Sequence, residues 1–353
     1  MSAATSHTPS MRPTSPLICP LRGDHDAPLS LVGGKGANLV RLMRSGFPVP
    51  DGFVITTAAY HAFLNSAGIG ASEADQAQLQ TAITAAPIPA NLRAEIVNAY
   101  DWLGAAAVAV RSSGTAEDLA NASFAGQHDT FLDISGVETL LAAVRNCWAS
   151  LWTPRASAYR QEHGWNDENN ANEQDPTLAL AVVVQRMVSA DAAGVAFTAN
   201  PLTGERTETV ISGVRGLGER LVSGHGAADE WVVRGDQATC RRAAEGALDA
   251  GQALAVAQLA RRIADTFGTP QDIEWAFRGS DLFVLQARPM TALPEPVTWR
   301  PPIKGGWMRN FRLGEWLPEP VTPLFASWPL ARIEAGEVAA EARDFGLRLR
   351  PPY

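Results

Sequence analysis

Apolar residues along the chain fall into short runs and stripes whose spacing marks an alternation of strands and helices. Leu39, Val40 and Met43 share one face of a helix that Gly33, Gly34 and Gly36 open and that Gly46 and Pro48 end. Phe53-Val54-Ile55-Thr56 reads as a strand, and the Ala-rich stretch 57–104 as mostly helical. The run Val108-Ala109-Val110 predicts a short buried strand, and strand character returns at Thr130-Phe131-Leu132. Leu178–Val188, after the very polar loop Asn166–Pro176, predicts a buried strand. Further strands are expected at Gly194–Thr198, Thr207–Ser212 and Glu230–Arg234, and an amphipathic helix at Leu254–Phe267. Ile273–Phe277 and Leu282–Ala287 flank Gly279-Ser280 as a hairpin. There is no internal repeat.

The ends read differently. Residues 1–16 are rich in Ser, Thr and Pro without an apolar core, so a disordered tail is expected, with folding beginning near Leu29 (tail 1–28). This stretch has the pattern of neither a signal peptide nor a transmembrane segment. The stretch 293–306 holds Pro294, Pro296, Pro301, Pro302, Gly305 and Gly306 and reads as a linker. Trp307–Tyr353 is too short to bury a core of its own and reads as the opening of a further domain. The fold class expected for the body is mixed α/β.

Five segments carry candidate chemistry. Gly33-Gly34-Lys35-Gly36 would expose N–H donors at a helix start, where the dipole also favours an anion; a lysine there is electrostatically favourable only if an anion binds. The turn lacks Walker spacing and on its own is equally an ordinary helix entry. Arg111 ends a strand and runs into the small-residue stretch containing Ser123-Phe124-Ala125-Gly126, with Thr130 beyond it. A rigid guanidinium fork beside close backbone N–H groups suits phosphate, although a surface loop after a core strand has the same look. Gln185-Arg186-Met187 closes an apolar strand; it could offer edge groups and a soft thioether to an adenine ring, or Met187 could be plain core.

The hairpin is the fourth segment. Alternation puts Ile273, Trp275 and Phe277 on one face and Glu274 on the other. In the return strand Phe283, Leu285 and Ala287 share a face, with Gln286 and Arg288 opposite. A three-residue turn would set Glu274 directly across from Gln286. Two hard oxygen donors suit Mg²⁺, and the neighbouring cation suits charge developing in phosphoryl transfer. An amphipathic hairpin with a solvated polar face fits the same spacing. Gly216-Leu217-Gly218-Glu219 could be a phosphate-facing turn or a helix entry, and His225 beyond it reads as a bystander.

Composition narrows the partners. The 353 residues are 46% hydrophobic and 19% charged, with formal net charge -8, which argues against nucleic acid or an anionic membrane as main partner. Lys35 and Lys304 are the only lysines, so nearly all positive charge is arginine. Cys19, Cys147 and Cys240 are far apart, have no metal-ligand spacing, and fit a reducing cytoplasm.

Taken together, GGKGANL, RSSGTAEDLANASFAGQHDTFL, VVVQRMV, GVAFTANPLTG, GLGERLVSG and DIEWAF…LFVLQARP resemble, in order and over roughly residues 29–291, the nucleotide-binding domain of the pyruvate phosphate dikinase and phosphoenolpyruvate synthase superfamily. The resemblance implies an ATP-grasp-like fold of two subdomains, 29–190 and 191–292, with ATP in the cleft between them. It implies Lys35, Arg111, Gly126 and Thr130 around the phosphates, and Gln185 with Met187 at the adenine. It also implies Glu274 and Gln286 on Mg²⁺ and Arg288 at the transferred phosphoryl group. Lys35, Arg111 and Arg288 would be the catalytic cations. Met308–Trp328 is similar to the start of the substrate domain of rifampicin phosphotransferases, an antibiotic-resistance group within the superfamily. The chemistry implied passes the β-phosphate of ATP through a phosphohistidine to the acceptor, releasing AMP and phosphate. The family's histidine motif has no convincing counterpart here, since the echo around His225 sits inside the GLGE segment. The expectation is therefore a phosphohistidine domain supplied from elsewhere, with two alternatives: a non-catalytic ATP-binding remnant, or the ATP domain of a phosphoenolpyruvate synthase-like enzyme.

Overall fold

The computed structural model describes residues 15–25, 27–70, 76–115, 130–153, 179–218, 221, 228–291 and 293–294. Gly126 and its loop, the polar loop 166–176, Glu219, His225, the first fourteen residues and everything after residue 294 lie outside these. The chain divides into two compact units, Met1–Pro296 and Val297–Tyr353, and the described residues all belong to the first.

That unit contains two antiparallel sheets. The first joins β1 (Ile18–Pro20), β2 (Gly52–Ile55), β3 (Val108–Gly114), β4 (Thr130–Ile134) and β5 (Leu180–Arg186) in the order β1-β2-β5-β3-β4. The second joins β6 (Ala192–Phe197), β7 (Glu208–Arg215), β8 (Asp229–Arg234), β9 (Gln237–Arg242), β10 (Gln271–Arg278) and β11 (Asp281–Pro289) in the order β11-β10-β6-β7-β8-β9. Helices α1 (Leu29–Arg44), α2 (Thr57–Ala67), α3 (Gln76–Ala85), α4 (Ala90–Trp102), α5 (Val137–Ser150) and α6 (Ala250–Phe267) complete the described elements.

The alternation of β3 and β5 explains why the first sheet has two different faces. Val108, Val110, Leu180, Val182 and Val184 pack against Tyr60, Phe63, Leu140, Val144 and Trp148 of α2 and α5. Ala181 and Val183 turn the other way, into a core shared with Leu39 and Val40 of α1, Val256 and Ile263 of α6, and Ile211 and Trp275 of the second sheet. The two sheets therefore share one continuous core through α1, reinforced where the Arg41 guanidinium lies 4.1 Å from the centre of the Phe267 ring. Burial of this apolar surface is the main stabilising term.

Four elements depart from the sequence reading, each for a physical reason. Folding starts before Leu29: Ile18–Pro20 is a fully buried edge strand on β2, so the expected tail 1–28 is too long. Its three residues are too few for periodicity to reveal them. The last helix begins at Ala250 rather than Leu254, because Asp249 and Gln252 form a reciprocal capping box one turn earlier. β9 is an exposed edge strand of sequence QATCRR with no apolar alternation, held by its backbone pairing to β8. α5, with Leu140, Leu141, Val144, Cys147 and Trp148 buried, also lies beyond the elements predicted from the pattern.

The hairpin differs in detail. Its turn has two residues, Gly279-Ser280, with Arg278 opposite Asp281, not the expected three. A bulge between Glu274 and Trp275 then restores the Glu274–Gln286 pairing. The extra residue at the bulge reverses the faces before it. Val284 and Leu282 join Trp275 and Ala287 in the core, while Phe283 and Leu285, expected beside Ala287, pack with Val188, Ala193 and Ala276 on the opposite side.

The loop that leads into α6 is organised by one carboxylate. Asp229, buried at the start of β8, accepts N–H bonds from Ala244 (2.6 Å), Glu245 (2.8 Å), Gly246 (3.2 Å) and Ala247. Burial alone would raise its pKa, but these donors together hold it below the ordinary carboxylate value. A depressed folded-state pKa gives stability that is present above the unfolded pKa and lost as pH falls through the folded one. Asp229→Ala is expected to cost about 2–4 kcal/mol at pH 7, from several charge-assisted bonds lost together. The gap between variant and wild type should shrink in urea melts as pH drops below about 4. A gap that stayed constant down to pH 2 would contradict this role.

Candidate functional site

On β3, Ala109, Arg111 and Ser113 point away from the α2/α5 core, and on β5 Gln185 does the same at the end of the Ala181, Val183 row. These positions face the side of β10 and β11 that carries Glu274, Ala276 and Leu285, and a cavity of about 170 Å³ lies between them. Its walls are mainly apolar, including Ala109, Val188, Ala190, Ala193 and Leu285. Arg111, Thr130, Gln185, Arg186 and Glu274 supply polar groups. A mainly apolar recess with a few convergent polar groups is the usual form of a small-molecule site.

Arg111 bridges the two sheets. Its Nη2 donates to Glu274 Oε2 at 2.8 Å and its Nη1 to Gln286 Oε1 at 3.3 Å, with only 12% of the Arg111 side chain exposed. Burial pushes the Glu274 carboxyl up, but the charge and hydrogen bond of Arg111, with the charges of Arg288 and Lys35, outweigh it and hold the pKa below the ordinary value. Glu274 is therefore an anion at neutral pH.

Arg288 stands across the hairpin from Asp272, and its Nε and Nη2 donate to Asp272 Oδ2 at 2.8 and 2.7 Å. Burial, and the neighbouring Glu274 charge, raise the Asp272 pKa, against the lowering effect of Arg288. Two carboxylates on one face of β10 thus sit among Arg111, Arg288 and Lys35. Among the described residues, three cations gather on Glu274 in a chain of net charge -8.

The glycine turn reaches the same place from α1. Gly33 breaks the helix at φ 68°, ψ 174°, so that Gly34 begins a second helical segment; the turn Leu29–Val32 precedes it, one turn earlier than the expected opening. Ser113 locks the break onto β3: its Oγ donates to the Val32 carbonyl at 2.9 Å and accepts from Gly36 N at 3.1 Å. The lock fixes the backbone on either side of half-buried Lys35 to Ser113, which is two residues along β3 from Arg111.

The predicted residues divide as follows. Arg111, Thr130, Gln185, Met187 and Glu274 line the cavity. Lys35, Gln286 and Arg288 do not line it but adjoin it through Arg111 and Glu274. Gln185 is 2% exposed and its amide nitrogen has no partner, an orphaned donor at the cavity wall. Arg186, between Gln185 and Met187, turns its guanidinium to the Leu103 carbonyl and serves the scaffold. Leu217, Gly218 and Leu221 line the cavity from the GLGE segment, in keeping with a ligand-facing turn. Gly126 and His225 lie outside the described residues. Sequence reasoning missed Ser113 and Asp272. The Ser-Ser pair and the Asp-Ile-Glu run were visible, but only the cross-strand partners give them a role. Among the described residues no cluster of His, Cys, Asp and Glu could hold a metal by itself, and no helix is long and apolar enough to cross a membrane.

Comparison with known proteins gives the family. The family model described as pyruvate phosphate dikinase, AMP/ATP-binding domain, matches residues 29–245 and 236–298. A probable phosphoenolpyruvate synthase of Methanothermobacter thermautotrophicus is 38% identical over 315 residues, 76% of this chain and 45% of that protein. The phosphoenolpyruvate synthase of Pyrococcus furiosus is 33% identical, over 78% of this chain and 43% of its own length. A rifampicin phosphotransferase of a Streptomyces species is 37% identical over 320 residues, 78% of this chain and 36% of that protein. The chain thus spans less than half the length of these relatives. With a match covering every described strand and helix except β1, the chain belongs to the pyruvate phosphate dikinase AMP/ATP-binding domain family.

Proposed function

We propose that the cleft between the two sheets binds ATP, and that this chain is the ATP-grasp-like nucleotide domain of a dikinase-type phosphotransferase. The observation that carries the reading is the gathering of Lys35, Arg111 and Arg288 around Glu274, beside a mainly apolar cavity whose wall holds an unsatisfied amide. The base would take the apolar end, against Met187 and Leu285, with the orphaned Gln185 N–H₂ donating to a ring nitrogen. The triphosphate would take the cationic end, held by Lys35, Arg111 and Thr130, with Gly126 contributing backbone. Arg288, aimed by Asp272, would face the phosphoryl group in transfer.

The donor chemistry fits Mg²⁺. Glu274 and Gln286 present two hard oxygens that converge on a common cationic centre, the Arg111 guanidinium. Mg²⁺ bound there would neutralise phosphate charge. This chain's residues do the rest: they fix the β-phosphate, exclude water through the apolar wall, and keep Arg288 oriented.

The phosphoryl group would pass to a histidine on a domain outside residues 29–298 and then to an acceptor, with release of AMP and phosphate. The acceptor proposed is rifampicin-like, from the similarity of Met308–Trp328 to that group; the relatives named phosphoenolpyruvate synthases support pyruvate as the second reading. The setting proposed is the cytoplasm, where ATP is at hand. Mixing the chain with a histidine domain, Mg²⁺ and ATP should yield AMP, and adding rifampicin or pyruvate should select the acceptor by which of them raises turnover. Absence of AMP with histidine domains of both classes would refute the phosphotransfer reading.

Gln185 offers a sharper check. Gln185→Met removes a buried unsatisfied donor and should raise thermal stability by up to about 1–2 kcal/mol. The same change should weaken ATP binding about tenfold, by removing one base contact. Melting and calorimetry on one sample test both signs; parallel loss of stability and affinity would contradict the assignment.

A further inference from the structure

The oxygens that would suit a divalent ion are already occupied by a cation of the protein itself. Glu274 Oε2 and Gln286 Oε1 lie 2.8 and 3.3 Å from the two terminal nitrogens of Arg111, at hydrogen-bond distance. A metal at that position and Arg111 in its present place exclude each other, both sterically and by charge. A divalent ion placed beside Arg111 would also meet the positive charges of Lys35 and Arg288, which already act on Glu274.

The arrangement is also incomplete for Arg111. Its third nitrogen, Nε, carries an N–H that is buried and has no acceptor. A buried donor without a partner carries a desolvation penalty, and a phosphate oxygen would remove it. Arg111 thus has a reason to leave once phosphate is present, and Glu274 with Gln286 would then have a vacant cation position of hard-oxygen character.

We propose that Arg111 is a stand-in cation. In the nucleotide-free protein its guanidinium holds the position between Glu274 and Gln286 and keeps divalent ions out; phosphates draw it away and open that position to metal. The proposal rests on the ATP reading above for the identity of the phosphate. It makes metal and nucleotide binding strongly interdependent and leaves the free protein with little affinity for metal alone.

The test uses the full chain and Mn²⁺, followed by the loss of its free-ion paramagnetic resonance signal, with no nucleotide present. Wild type should bind Mn²⁺ weakly. Arg111→Met should bind it at least about tenfold more tightly, since the repelling charge is gone and both oxygens are released. The double variant Arg111→Met/Glu274→Gln should lose that gain. No gain in Arg111→Met, or a gain that survives the loss of Glu274, overturns the proposal. Should Arg111→Met fail to fold, Glu274→Gln decides: with its internal partner weakened, Arg111 is freer for phosphate, so ATP in excess EDTA should bind more tightly than to wild type. Unchanged or weaker metal-free binding would overturn it. A wild type that binds no ATP under any condition refutes the nucleotide reading, whereas the Mn²⁺ comparison needs no nucleotide and still decides the role of Arg111.

Discussion

Arg111→Ala should lower ATP affinity by about 10- to 100-fold, equivalent to roughly 1.5–3 kcal/mol for the loss of a charge-assisted contact to phosphate. The magnitude follows from position. Arg111 is almost buried, it stands in the middle of β3, paired to β4 and β5 and not at a strand end as the sequence suggested, and its rigid fork already spans the gap between the two sheets. Stability should fall less than affinity. Glu274 loses its nearest partner, but it is 31% exposed and keeps the charges of Lys35 and Arg288 nearby, so the cost is expected to be about 1 kcal/mol. Calorimetric titration with ATP, beside a thermal melt, separates the two effects. Unchanged affinity in a folded variant would remove Arg111 from the site.

Gly33→Ala should be the most damaging single change at the cleft. At φ 68°, ψ 174°, a region essentially reserved for glycine, an alanine is strained by about 1–3 kcal/mol, before any contact is considered. Its Cβ would also stand 2.2 Å from the Ser113 carbonyl oxygen and 2.4 Å from Ser113 Oγ. Neither the carbonyl, paired in β3, nor the hydroxyl, bonded to both Val32 and Gly36, can step aside cheaply. A total loss of about 3–5 kcal/mol is expected, with displacement of Lys35 and a matching loss of ATP binding. Gly46→Ala is the control. It shares the positive φ of 76° but meets nothing within 4 Å, so only the backbone strain of about 1 kcal/mol should appear. Equal melting temperatures for the two variants would show that contact with Ser113 does not matter.

Much of the fold was legible because strands and helices here follow simple periodicities. The run Leu180–Val184 is buried on both faces, and its unbroken apolar composition announces that. The Glu274–Gln286 pairing was legible too, but for an incomplete reason. A two-residue turn and a bulge produce the register that a longer turn would have given, and a bulge leaves no mark in alternation until side chains are seen on the wrong face. Leu285 is the consequence: an apolar residue assigned to the core that lines the cavity instead.

The site's chemistry was partly legible as residue types and not at all as contacts. Arg111 and Glu274 are 163 positions apart, and nothing local in either segment names the other. Asp272 looks like the polar edge of a strand until Arg288 is found opposite it, and Ser113 looks like a small loop residue until α1 breaks against it. Motif order pointed to a shared cleft; only the packing of α1 between the sheets explains why Lys35, Arg111 and Glu274 meet there.

The central claim is that ATP occupies the cavity between the two sheets. Photolabelling of the full chain with 8-azido-ATP and Mg²⁺, followed by peptide mapping, tests it most directly. Labelling confined to peptides containing Gln185–Val195, Leu217 or Leu285, and abolished by excess ATP, is the predicted result. Saturable, ATP-protected labelling elsewhere, such as the open groove beside Arg206 and Arg261, would contradict it.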